Sequence, residues 1–134
     1  MTKDIITPFA EIIEECKQMQ AFLDITPSDN INEIVERGNE LLAYLARSGK
    51  LVADADYHLN EMRKSEIMQI IKQIIPEKFS AKVQNALVDS IAKEQKHVAL
   101  WCDRINRTAT HQLDWCRTLI SKAKVEMQNL NFRG

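Results

Sequence analysis

The chain has 134 residues, 18 Lys and Arg against 19 Asp and Glu, a net charge of −1 and 45% hydrophobic content. Those figures describe one domain and exclude a bulk polycation or polyanion, and no apolar run approaches the ~18 residues that a membrane span needs. Three glycines and three prolines supply too few turns for a β-rich fold, so residues 1–134 are expected to form a single all-α domain.

The prolines, Pro8, Pro27 and Pro76, set the punctuation, because proline lacks the N–H that a helix interior uses and clashes with the preceding turn. They predict helices over about 7–24, 29–75 and 80–129. Thr7 and Pro8 read as N-cap and first helical residue, with an apolar face of Phe9, Ile12, Ile13, Cys16, Met19 and Leu23. The run Thr26-Pro27-Ser28-Asp29 ends that helix, and Ser28 or Asp29 caps the next, with Glu33 and Glu36 near its positive end. The second helix carries Ile31, Ile34, Leu41, Leu42, Leu45, Val52, Ala55, Leu59, Met62, Ile67, Ile70, Ile71 and Ile74, mostly at steps of three, four and seven. Gly38 and Gly49 each cost about 1 kcal/mol against Ala there, yet the apolar phase carries from Leu45 to Val52 and predicts continuity across Gly49. Pro76-Glu77-Lys78-Phe79 reads as a turn and Ser80 as the cap of the third helix. On that helix Leu87, Ile91, Val98, Cys102, Ile105, Ala109, Leu113, Cys116, Ile120, Ala123 and Met127 share one side, and a seven-residue step runs Ile91, Val98, Ile105, Gln112, Leu119.

The expected architecture is a long antiparallel helical hairpin plus a shorter N-terminal helix. With the turn near residue 77, facing residues sum to about 155. Trp101 is then expected opposite Ala53–Ala55, Ile105 opposite Gly49, and Trp115 at the level of Gly38 to Leu41, so Gly49→Leu would overpack against Ile105. A helix of ~46 residues is ~70 Å long, whereas one of ~18 residues covers ~27 Å. The short helix leaves wide apolar arcs bare, so the helical bundle is expected to be completed by oligomerisation.

Charge is uneven: residues 1–76 hold 8 Lys and Arg against 13 Asp and Glu, and residues 77–134 hold 10 against 6. On the basic third helix, His97, Trp101, Arg104, Thr108, His111, Trp115 and Lys122 recur at offsets of three, four and seven, thickened by Lys93, Lys96 and Arg107. Aromatic rings there stack bases and Arg forks onto phosphate; the structural alternative is boundary packing with snorkelling cations. The eight residues His97, Trp101, Arg104, Arg107, Thr108, His111, Trp115 and Lys122 are the candidate ligand or nucleic-acid site.

No catalytic residue, metal site or cofactor is expected. Glu94-x-x-His97 has a di-iron spacing but no second copy, and Asp54 with His58 would join it only through packing. Glu11, Glu14, Glu15, Glu33, Glu36 and Glu40 are similar to the paired carboxylates of helical nucleotide pyrophosphatases, but fall on outward faces. There is no Gly-rich phosphate loop and no nucleophile elbow. Lys3, Asp4, Glu11, Glu14 and Glu15 interrupt the first 15 residues, so no secretory signal is expected. Cys16, Cys102 and Cys116 then read as reduced thiols in a cytoplasm.

Two segments, LLAYLARSGKLVADADYHLNEM (Leu41–Met62) and RINRTATHQLDWCRTLISKAKVEM (Arg104–Met127), resemble small helical proteins common in phage and prophage genomes. The resemblance implies an accessory protein in the host cell cytoplasm and transfers no site. The reading is therefore a non-enzymatic, self-associating helical protein acting through protein or nucleic-acid contacts. The alternative is an oligomeric binder of a small phosphorylated ligand, such as a nucleotide, at a subunit interface.

Overall fold

A computed structural model describes residues 5–74 and 80–133. All regular structure among these residues is helical. Helix α1 spans Phe9–Leu23 (15 residues), α2 Ile31–Lys64 (34), α3 Glu66–Ile74 (9), α4 Ala81–Ile91 (11) and α5 Lys93–Arg133 (41). The Pro76 turn expected at 76–79 lies outside the described residues.

The helix starts differ from expectation by one or two residues, for hydrogen-bonding reasons. Pro8, at φ −56° and ψ 144°, is the N-cap of α1 without a side-chain cap, and its carbonyl accepts from Ile12 N at 3.0 Å. Thr7 does not cap: its backbone N–H donates to Asp54 Oδ2 at 3.0 Å and its hydroxyl accepts from Arg47 Nη2 at 3.2 Å. Asn30, rather than Ser28 or Asp29, caps α2, its Oδ1 accepting from Asn32 N at 2.9 Å and Glu33 N at 3.3 Å. Ser28 steadies the cap from outside through Asn30 N, at 3.0 Å.

Helix α2 runs unbroken through Gly49, as its apolar phase requires. The long helices expected over 29–75 and 80–129 are nonetheless each two helices. Ser65, at φ −59° and ψ 157°, leaves the helical region, and its hydroxyl lies 3.5 Å from Met68 N at the start of α3. A serine offers the backbone this alternative partner, which a purely apolar count misses. The matching interruption is the turn at buried Ala92 between α4 and α5. Ser65 and Ala92 fall close to facing positions in a register near 155, so the two interruptions lie at about one level, and α3 stays packed on α4. On α3, Met68 is fully buried, whereas Ile67, Ile70 and Ile74 are exposed.

The long pair is α2 against α5, and the register near 155 is observed directly. A Cβ on Gly38 would sit 3.9 Å from Cys116 Cβ, and one on Gly49 would sit 3.7 Å from Asn106 Nδ2. Asn106 Nδ2 donates to Ser48 Oγ at 3.0 Å and to Leu45 O at 3.1 Å. Gly49 thus lies exposed beside Asn106, not against Ile105, and the overpacking expected of Gly49→Leu has no buried wall to meet. Leu41, Leu51, Ala55, Cys102, Ile105 and Ala109 fill the seam with at most 1% exposure.

Helix α1 completes a three-helix bundle over the middle of this pair, parallel to α5 and antiparallel to α2. Ile12, Cys16, Met19 and Leu23 are its buried face. Its start is tied to α2 by Thr7 and Asp54, by Lys50 Nζ to Ile5 O at 2.6 Å, and by His58 Nε2 donating to Thr7 O at 2.7 Å. Its end is held where helix carbonyls lack partners: Gln112 Nε2 donates to Leu23 O at 3.0 Å and Arg37 Nη2 to Phe22 O at 3.4 Å. Arg37 also lies over the Phe22 ring, 4.7 Å from its centroid. Fifteen residues make about 22 Å of helix, so α1 covers only the middle of one face of the hairpin. At one end Val125, Met127 and Leu130 run past the start of α2, and each is more than half exposed.

Candidate functional site

The stripe lies along α5 at the edge of α1's cover, and only part of it converges. His97, Leu100, Trp101 and Arg104 line an open groove of about 300 Å³. Trp101 is half-buried, and its Nε1 donates to Gln20 Oε1 of α1 at 3.0 Å. That bond fixes the indole on the α1 side, so Trp101 does not face Ala53–Ala55 as expected. The axial register is right; the difference is rotation about α5. The His97 ring stands 6.5 Å from the Trp101 ring, centroid to centroid, tilted by 37°. Arg104 is exposed at the groove's rim.

The remaining stripe residues do not join this groove. Arg107 turns back onto Asp103 one turn earlier, with Nε at 3.1 Å and Nη2 at 2.5 Å from Oδ2. Thr108 is half-buried, and His111 and Lys122 are exposed farther along α5. Trp115 is 54% exposed, because α1 ends at Leu23, opposite Gln112, before reaching its level. The stripe is therefore a cationic-aromatic groove at residues 97–104 followed by an open rail of separate side chains.

A second groove, of about 270 Å³, lies on the opposite flank of the hairpin between Val52, Asp56, Leu59, Lys96, Ala99 and Asp103, again bordered by Leu100. Leu100, 59% exposed, is the ridge between the two. This flank is the one that α1 leaves bare.

Among the described residues, no group of three or more His, Cys, Asp and Glu side chains gathers as a metal site. Asp54 serves the α1 anchor. Burial pushes its carboxyl up, but hydrogen bonds from Lys50, at 2.5 Å, and from Thr7 outweigh this and hold it below the usual range. Glu15, hydrogen-bonded by Arg47 through both oxygens at 2.7 and 2.6 Å, is likewise held low. Glu14 pairs with Lys17 at 3.3 Å.

Sequence reasoning missed Gln20, which orients Trp101, and the Arg37–Gln112 pair, joined at 2.7 Å. Gln112 did leave a trace: it is the polar member of the seven-residue series Ile91, Val98, Ile105, Gln112, Leu119. Gln20 left none, because its role exists only where α1 meets α5.

No helix among the described residues is long and apolar enough to cross a membrane. No family model, no curated protein and no solved structure matches the chain.

Proposed function

We propose that the protein is a non-enzymatic, self-associating helical protein that works through contacts with protein or nucleic acid. The observation that supports this is the partial cover of the hairpin. One 15-residue helix shields the middle of one face, while Leu42, Leu100, Ile67, Ile70, Ile74 and Met127 stand between 49% and 69% exposed elsewhere. Apolar surface left bare along the hairpin supports this reading where it is contiguous, and a second copy would bring the same faces by symmetry. The resemblance of its two long segments extends the proposal to a cytoplasmic accessory protein of phage or prophage type. Light scattering at micromolar concentration tests the association: at least a dimer is expected, and a clean monomer of 15.4 kDa overturns it.

The groove at His97, Trp101 and Arg104 favours a second reading, a small phosphorylated ligand such as a nucleotide. A base would stack on the indole while Arg104 and His97 donate to phosphate. The two readings separate by salt and by probe. Single-stranded DNA held along the cationic rail loses affinity steeply as salt rises. A nucleotide in the groove raises the melting temperature in a thermal-shift screen.

A further inference from the structure

We propose that Cys16 and Cys102 are a redox site: a reversible disulfide between them staples α1 to α5. The two sulfurs lie 3.4 Å apart across 86 residues of sequence, and both side chains are 0% exposed. A disulfide needs about 2.05 Å between sulfurs, so roughly 1.3 Å of approach separates contact from bond. Side-chain rotation with a small shift of α1 supplies that, since α1 is a short helix on one flank of the hairpin. Cys116 is also buried, but lies about 21 Å along α5 from Cys102, too far to compete within one chain.

The chemistry follows from the contact, with either sulfur as the first to react. With a peroxide as oxidant, one thiolate attacks one peroxide oxygen, the O–O bond breaks, and a sulfenic acid and hydroxide result, the hydroxide taking up the proton that this thiol released. The second sulfur then attacks the sulfenic sulfur. The S–O bond breaks, the S–S bond forms, and the oxygen leaves as water with the second thiol's proton. Two thiols and one hydrogen peroxide give one disulfide and two waters. Peroxide reaches the buried pair when α1 lifts from the hairpin, a local opening short of global unfolding.

The test uses the full chain carrying Cys116→Ala, which removes cross-links through the third thiol. After hydrogen peroxide treatment, denaturation and alkylation, mass spectrometry is expected to find no alkylated cysteine and one peptide joining residues 16 and 102. Closing so long a loop is expected to raise the melting temperature by about 10 °C or more, reversed by dithiothreitol. Two alkylated thiols after peroxide, or loss of thiols to sulfinic acid without the cross-linked peptide, overturns the proposal. Cys16→Ser in the same background is expected to abolish the shift; a peroxide-induced rise that survives there also overturns it. Should either variant fail to fold, peptide mapping of the peroxide-treated wild-type chain decides: the joined 16–102 peptide supports the staple, and its absence overturns it.

Discussion

Gly49→Ala is expected to stabilise the protein by about 1 kcal/mol. Gly49 sits in the interior of α2, where glycine costs about 0.8–1 kcal/mol against alanine through the freedom it loses on folding. Nothing local offsets that gain. Its φ is not positive, and the new Cβ would meet only Asn106 Nδ2 at 3.7 Å, an ordinary van der Waals distance. For a chain of 134 residues, 1 kcal/mol corresponds to roughly 3–5 °C in melting temperature. Urea unfolding followed by far-UV circular dichroism measures it: the midpoint should rise by about 0.5 M with the slope unchanged. Gly38 supplies the internal contrast, since it is buried and a Cβ there lies 3.9 Å from Cys116 Cβ. Gly38→Ala should also stabilise, whereas Gly38→Leu should overpack against Cys116 and cost about 1–3 kcal/mol. A lowered midpoint for Gly49→Ala would refute the reasoning, because it would mean that α2 breaks at Ser48-Gly49.

Three further outcomes are expected. Acid should unfold the α1 anchor: Glu15 and Asp54 are held below their ordinary values of 4.5 and 3.8, so their contribution is fully present above those values and fades as pH falls through the lowered folded values. Melting temperature should therefore be insensitive to these two groups from pH 7 to about 5 and fall below about 4.5, and an Asp54→Asn variant should show a shallower acid slope. Arg104→Ala should weaken binding of single-stranded DNA or nucleotide about tenfold or more, since hydrogen bonds to charged groups are worth about 1.5–3 kcal/mol, with melting temperature nearly unchanged; a drop in melting temperature with unchanged affinity would make Arg104 structural. Leu100→Glu should shift light-scattering mass toward 15.4 kDa while changing stability by no more than about 0.5 kcal/mol, as for an exposed site; an unchanged mass would exclude the Leu100 ridge from the association surface.

The elements that were legible in the sequence are those governed by periodicity. Three- and four-residue spacing in α2 and the seven-residue step on the third predicted helix specified the long helices and the continuity at Gly49, whereas the register near 155 followed from placing the turn near residue 77. The breaks at Ser65 and Ala92 were not legible. At Ser65 a hydroxyl competes with the helix for one amide, and the apolar series records it only as the single five-residue step from Met62 to Ile67. Trp101 and Trp115 share a face by spacing, yet only Trp101 is held by α1, because the reach of α1 along α5 depends on where that helix docks. Asp54 looked like a remote metal ligand from its spacing to His58, and both instead hold residue 7. These interactions join residues 47 and 51 apart, a range at which spacing carries no information.

The order of the helices has a consequence for synthesis. The seam is closed from the far end of the chain: Val98, Cys102, Ile105, Ala109, Leu113 and Cys116 all lie on α5, and the face they cover on α1 and α2 is made first. At about 5–20 residues per second, the 41 residues of α5 take about 2–8 s to emerge. During that interval Ile12, Met19, Leu41 and Leu51 have no permanent cover. The nascent chain therefore passes through a window in which its future core is open to chaperones, or to a neighbouring chain on the same message, before its own last helix arrives.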